Sequence, residues 1–168
     1  PRKPEPVVLG SVIGMSTVKH CNALIDDALA SGAKLLCGGK CETTLMPATV
    51  LDLVTPRMRI YHEETFGPVK CIVRVKTVEE AIACANDNEY GLSASVFGRD
   101  IARAFNVARK IDSGICHVNG PTVHDEAQMP FGGVKGSGIG RFGGKAGIAE
   151  FTELRWLTLQ TTPRHYPF

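Results

Sequence analysis

Cysteine, histidine and carboxylate side chains are the groups through which this chain could do chemistry, and they come together in only a few places. Cys116 and His117 are adjacent, His124, Asp125 and Glu126 stand in a row, and Cys37 and Cys41 bracket Gly38-Gly39-Lys40. None of these makes a complete centre. Cys116 and His117 fall in an apparent strand, where neighbours point to opposite faces, so they cannot act as a thiolate–imidazole pair. Three consecutive loop residues do not surround one metal ion. The cysteine pair has no second pair or histidine doublet to complete a zinc site. There is no Gly-x-Ser-x-Gly elbow. No metal is expected, and no nucleophile–base pair is found.

The elements that would position a site are clearer. Ser16 or Thr17 caps a helix whose apolar positions, Val18, Cys21, Leu24, Ile25, Ala28 and Leu29, recur at spacings of three and four, and Gly32 ends it. Residues 33–37 form a short strand. Residues 45–53 form another, which Pro47 assigns to a sheet edge. A strand at 69–75 leads to a helix over 78–88 with Thr77 and Glu80 as its capping box. A strand at 93–97, a helix over 101–111 capped by Asp100, and a strand at 115–118 follow. This β-α-β-α-β alternation predicts parallel strands in an α/β fold with an open, doubly wound, mostly parallel sheet. A short helix near 144–151 and a terminal strand around 154–160 complete the chain. Residues 1–10 read as an extended connector, 11–153 as one α/β body, and 154–168 as a strand and tail.

In open α/β sheets ligands sit beyond the carboxyl ends of the strands. Asn119 falls there, directly after the strand at 115–118, and a loop of about twenty residues begins at the same place, a length that is often functional. Asn119 to Gly144 is thus the predicted floor or rim of a site. The plainer alternative is that Asn119 only starts a turn. Gly138-Ile139-Gly140-Arg141-Phe142-Gly143 matches the dinucleotide fingerprint as a string but lacks a preceding strand. Eight glycines between 132 and 147 instead let the backbone turn tightly and approach its neighbours.

Composition excludes several classes. The 168 residues are 43% apolar and 21% charged, as in soluble globular domains. A net charge of +2 gives none of the basic excess that phosphate backbones require, so no nucleic-acid partner is expected. No apolar run approaches the roughly 18 residues of a membrane span, and no signal-peptide core follows the Pro-rich start. The six cysteines are scattered through predicted helices and strands, which reads as reduced thiols in a cytoplasmic protein.

Three blocks remain: Glu63-Glu64-Thr65-Phe66-Gly67-Pro68, Asn86 with Tyr90-Gly91-Leu92, and Pro130-Phe131-Gly132-Gly133 with Lys135, Ser137-Gly138, Gly140 and Arg141. With Ala33-Lys34-Leu35-Leu36-Cys37-Gly38-Gly39 and Val118-Asn119, and in this order, they resemble the C-terminal third of the aldehyde dehydrogenase superfamily from about residue 10 to 160. The resemblance implies an enzyme that oxidises an aldehyde to its acid with NAD or NADP. By motif, Glu64 would accept hydrogen bonds from the nicotinamide ribose hydroxyls, and a carboxylate suits this as an acceptor-only group. Phe66 would pack beside the nicotinamide ring. Asn119 would lie at the inner end of the substrate tunnel, and Phe131 would line its apolar wall. The plain alternatives are a surface Glu64 and core aromatics at Phe66 and Phe131. The loop from Asn119 through His124 to Pro130 is similar to the branch acting on aromatic aldehydes such as salicylaldehyde, benzaldehyde and vanillin, which places His124 in the substrate pocket.

The family's catalytic cysteine, glutamate base and Rossmann half have no counterpart here. The nucleophile is expected upstream of Pro1, none of the six cysteines inherits its role, and the isolated chain is expected to be inactive. The apolar strand 154–160 corresponds to one that takes part in subunit assembly, which implies a homo-oligomer, a dimer or tetramer; a strand tied into its own sheet is the alternative. A non-catalytic module that completes a partner chain is the competing reading of the whole.

Overall fold

The computed structural model describes residues 9–167, so most of the predicted connector lies outside the described residues. The chain has mixed α/β content and divides into two compact units, Pro1–Ala81 and Ile82–Phe168.

The first unit is built on helix α1, Met15–Ala30. Its apolar stripe faces inward as the spacing predicts: Val18, Cys21, Leu24, Ile25 and Ala28 are buried, while Leu29 stays exposed. The N-cap is Gly14, which gives no side-chain bond. Ser16 and Thr17 fall inside the first turn, so the predicted cap is one turn fragment too late. At the other end Gly32, at φ 99°, turns the chain left-handed, and Ala33 N–H closes on Ala28 O at 2.9 Å.

Strands β1 (Lys34–Cys37), β2 (Thr49–Asp52) and β3 (Val69–Cys71) form one sheet in that order. β2 pairs antiparallel with β1 and parallel with β3. This corrects the edge position assigned to residues 45–53. Pro47 stands before the first ladder residue, so its missing N–H removes no sheet bond, and Thr49, Leu51 and Asp52 are buried as a central strand requires. Leu51 joins α1, Ile60 of the one-turn helix α2 (Arg59–His62) and its N-cap Met58, and Val69 in a single core. Within the strand predicted over 69–75, ladder pairing stops at Cys71.

Helix α3 (Val78–Asn86) begins with a variant capping box. Thr77 Oγ1 accepts from Glu80 N–H at 3.1 Å, while Glu80 reaches back to Lys76 N–H at 2.7 Å. In the second unit, β4 (Tyr90–Gly91) pairs antiparallel with β7 (Val134–Lys135), and β5 (Ser93–Val96) pairs parallel with β6 (Ile115–Val118) across helix α4 (Ile101–Ala108). Asp100 caps α4 by accepting from Arg103 N–H at 3.0 Å. α4 ends at Ala108, short of the predicted 111, in tight turns closed by Lys110 and Ile111 N–H groups. A last short helix, α5, covers Gly144–Glu150.

The strands therefore form three separate small sheets among the described residues, in place of the one doubly wound sheet the alternation predicts. The terminal strand over 154–160 is also not formed. The segment has no ladder partner, and Leu154, Trp156, Leu157 and Leu159 are each more than 70% exposed. A strand exists only through its neighbour, and these residues have none here.

Asp52, although buried, keeps its charge. Arg74 grips it with Nε at 2.9 Å and Nη2 at 2.6 Å, and the Leu53 N–H adds a third bond at 2.8 Å. The Arg74 hydrogen bond foremost holds its pKa down from an ordinary 3.8 to about 2. Because the folded value is depressed, the stability this carboxylate supplies is complete above pH 3.8 and lost as pH falls towards 2. Asp52→Asn should therefore lower the unfolding midpoint at neutral pH and flatten its fall between pH 4 and 2, read by thermal melts across that range. Leu51→Ala, at a fully buried centre, should cost about 2–5 kcal/mol in denaturant unfolding.

Candidate functional site

In the first unit the predicted cofactor residues sit on the turn between α2 and β3. Glu63 and Glu64 are adjacent but differently placed. Glu63 is tied to Arg59, whose Nε and Nη2 donate at 2.6 and 2.9 Å, and that hydrogen bond lowers the Glu63 pKa. Glu64 is exposed, and its carboxylate makes no hydrogen bond or ion pair among the described residues. Two residues on, Phe66 is held at φ 46° and is 80% exposed. A left-handed non-glycine residue costs roughly 1–2 kcal/mol, and an exposed phenylalanine adds nothing to the core. Such a residue is retained where its surroundings over-determine it, and these positions cluster at ligand sites. Glu64, Phe66 and Gly67 line one open cleft of ≈ 740 Å³, together with residues 9–13 and Lys70.

The turn is tied down from α1. The His20 imidazole lies 2.9 Å from Glu64 O, and because a carbonyl only accepts, Nε2 carries the proton. The Cys21 thiol donates to Thr65 O at 3.2 Å. Thr65 Oγ1 in turn donates to Gly67 O at 3.2 Å. Sequence reasoning took Cys21 for an ordinary core position and passed over His20. No local pattern marks either, since their partners lie 44 residues away.

In the second unit a cleft of ≈ 350 Å³ is lined by residues 114–117, 124–126 and 129–131, which brings His124 and Phe131 together. Asn119 is not part of its lining. Its backbone is left-handed at φ 56°. Its side-chain amide pairs with Gly98, accepting from the N–H at 2.8 Å and donating to the C=O at 2.9 Å. Ser95 Oγ donates to Gly120 O at 2.7 Å and Ser93 Oγ to Thr122 O at 3.0 Å. Residues two apart on a strand share a face, so the Ser-x-Ser spacing on β5 was the available sign that this strand pins the loop.

The cleft holds no prepared nucleophile. Burial pushes the Cys116 thiol up, partly offset by a hydrogen bond with Ser113, whereas a reactive cysteine needs the opposite. His117 and His124 meet edge to face with ring centres 5.6 Å apart, and His117 Nε2 is buried with no hydrogen-bond partner among the described residues. His124 Nε2 stands 3.6 Å from Glu126 Oε1. No cluster of three metal-ligating side chains is found among the described residues.

The remaining motif residues lock the second unit's backbone. Asn86 Nδ2 donates to Lys110 O and its Oδ1 accepts from Asp112 N–H, both at 2.8 Å. Lys135 Nζ reaches Asn86 O and Asn88 O at 2.8 and 3.2 Å, and Gly91 N–H donates to Ser137 Oγ at 3.0 Å. Arg141 Nη1 binds Gly133 O and Gly140 O at 2.8 and 2.7 Å. Gly114 lies so close to Gly132 O that a Cβ there has no room. The glycine string is thus folded onto its own backbone. The sequence reading placed no strand ahead of it, while the structure has the two-residue β7 there, paired antiparallel and too short for a dinucleotide-binding β-α unit.

Comparison with known proteins fits this arrangement. A vanillin dehydrogenase from Pseudomonas fluorescens is 56% identical over 167 residues, covering 99% of this chain and 34% of that protein. The crystal structure of a salicylaldehyde dehydrogenase from Pseudomonas putida G7, complexed with salicylaldehyde, superposes with a TM-score of 0.87 at 51% identity over 95% of this chain and 33% of that one. A Mycobacterium tuberculosis aldehyde dehydrogenase complexed with NAD+ gives a TM-score of 0.80 at 35% identity, over 86% of this chain and 31% of that one. The chain spans about a third of the length of these relatives. The model of the aldehyde dehydrogenase family matches residues 1–157, and the chain belongs to that family.

Proposed function

We propose that this chain is the C-terminal part of the catalytic α/β body, over residues 11–153, of an NAD(P)-dependent aldehyde dehydrogenase that oxidises aromatic aldehydes. The observation that carries this is the turn at Glu64 and Phe66. One carboxylate is left open beside a cleft while its neighbour is consumed by Arg59, and an exposed ring is held next to it in a strained conformation. These residues fit a nicotinamide nucleotide: a free carboxylate accepts from both hydroxyls of a ribose with short charge-assisted bonds, and a ring with no core role is available to position a flat heterocycle. Nicotinamide, when bound, supplies the hydride acceptor.

On the substrate side, Phe131 and His124 line the pocket that receives the aldehyde's ring. Asn119, outside the lining of that pocket, would in the whole enzyme stand at the inner end of the tunnel, held by its paired bonds to Gly98. The similarity to vanillin and salicylaldehyde dehydrogenases favours an aromatic aldehyde. The parallel pair β5–β6 with its α4 crossover belongs, in the whole enzyme, to an open doubly wound sheet. Residues 154–160 add a strand to a second copy, giving a dimer or tetramer; their exposed Leu154, Trp156, Leu157 and Leu159 supply the surface for it. The isolated chain is inactive: burial pushes the thiols of Cys21 and Cys116 up, away from the thiolate that a nucleophile needs. The enzyme acts in the cytoplasm. None of the described helices is long and apolar enough to cross a membrane.

In the complete polypeptide, benzaldehyde-type substrates should drive reduction of NAD or NADP, followed by absorbance. Glu64→Gln keeps the size but loses the charge, and should lower kcat/KM for the nicotinamide cofactor about tenfold with little change in KM for the aldehyde. Glu63→Gln should stay close to wild type. Equal behaviour of the two variants would refute the assignment.

A further inference from the structure

We propose that His20 and Cys21, consecutive residues of α1, are positioning residues for the nicotinamide cofactor, acting through the backbone of the Glu64–Gly67 turn; the inference rests on the cofactor reading of that turn. His20 Nε2–H donates to Glu64 O at 2.9 Å and the Cys21 S–H to Thr65 O at 3.2 Å. Two adjacent side chains of one helix thus hold the two successive carbonyls that precede Phe66.

The contact continues past Phe66. A Cβ on Gly67 would lie 2.6 Å from Cys21 Sγ, so the turn closes directly onto the sulfur and only a bare backbone fits. Cys21 is completely buried, and burial, with a smaller contribution from Cys41, pushes its thiol up. The sulfur therefore stays protonated at neutral pH and remains a donor. Phe66 at φ 46° and an exposed Glu64 have no packing of their own to fix them. The α1 donors are what sets the direction in which the carboxylate and the ring leave the backbone. A rigid helix under a ligand turn is the arrangement that pre-organises binding groups.

The test uses the complete dehydrogenase polypeptide and four variants: Cys21→Ala, Cys21→Ser, His20→Ala and His20→Gln. Loss of either donor should raise KM for the nicotinamide cofactor about fivefold, with KM for the aldehyde unchanged. Cys21→Ser and His20→Gln, which keep a donor, should restore most of that loss. A purely structural role predicts lower thermal stability without a selective change in cofactor KM, and without rescue by the conservative variants; that result overturns the proposal. Should Cys21→Ala fail to fold, the half-exposed His20 pair decides the matter alone. Glu64→Gln in the same assay separates the two levels. If it leaves kcat/KM for the cofactor untouched, the cofactor reading itself fails. If it lowers that ratio while the α1 variants do not, only the positioning role fails.

Discussion

Burial of one stripe of α1 is the constraint on which the first unit depends. Val18, Cys21, Leu24, Ile25 and Ala28 pack into the same core as Leu51 of β2 and Val69 of β3. Each large apolar side chain removed from water there contributes roughly 1.5–3 kcal/mol, which anchors the helix as a fixed platform. The turn at Glu64–Gly67 has no such core of its own. Its geometry is borrowed from the platform through the His20 and Cys21 bonds and the bare α-carbon of Gly67. The helix that forms the core and the helix that shapes the turn are the same element, and Cys21 belongs to both.

The second unit is held by a different physics. Among its described residues only Ala104 and Ala108 are buried hydrophobics. Its backbone is organised instead by side-chain amides, hydroxyls and cations: Asn86 across residues 110–112, Asn119 on Gly98, Ser93 and Ser95 on the loop, and Arg141 inside the glycine segment. Phe97, Ile101, Phe105, Phe142 and Phe151 remain more than half exposed.

Much of this was legible in the sequence wherever the signal is local. The stripe of α1, the Asp100 cap and the capping box of α3 depend on spacings of three and four residues, and the structure has them. The motif residues were legible as a set, but their work was not. Asn86, Lys135 and Ser137 serve the backbone, through contacts up to 49 residues apart. Errors came where a local rule met a distant partner. Pro47 suggested an edge, yet it precedes a central strand. The strand-like composition of residues 154–160 is a separate matter, since they have no ladder partner among the described residues and the proposed one lies on a second copy. His20 carries no pattern and Cys21 only that of a core position, because their partners are backbone carbonyls that any sequence would provide.

The most direct test of the central claim is a crystal structure of the complete polypeptide with NAD+ bound. The account predicts the nicotinamide ribose hydroxyls within hydrogen-bonding distance of the Glu64 carboxylate and the Phe66 ring beside the nicotinamide, with the turn still held to His20 and Cys21. A cofactor bound elsewhere, with Glu64 facing bulk solvent and Phe66 packed into a protein core, would contradict it.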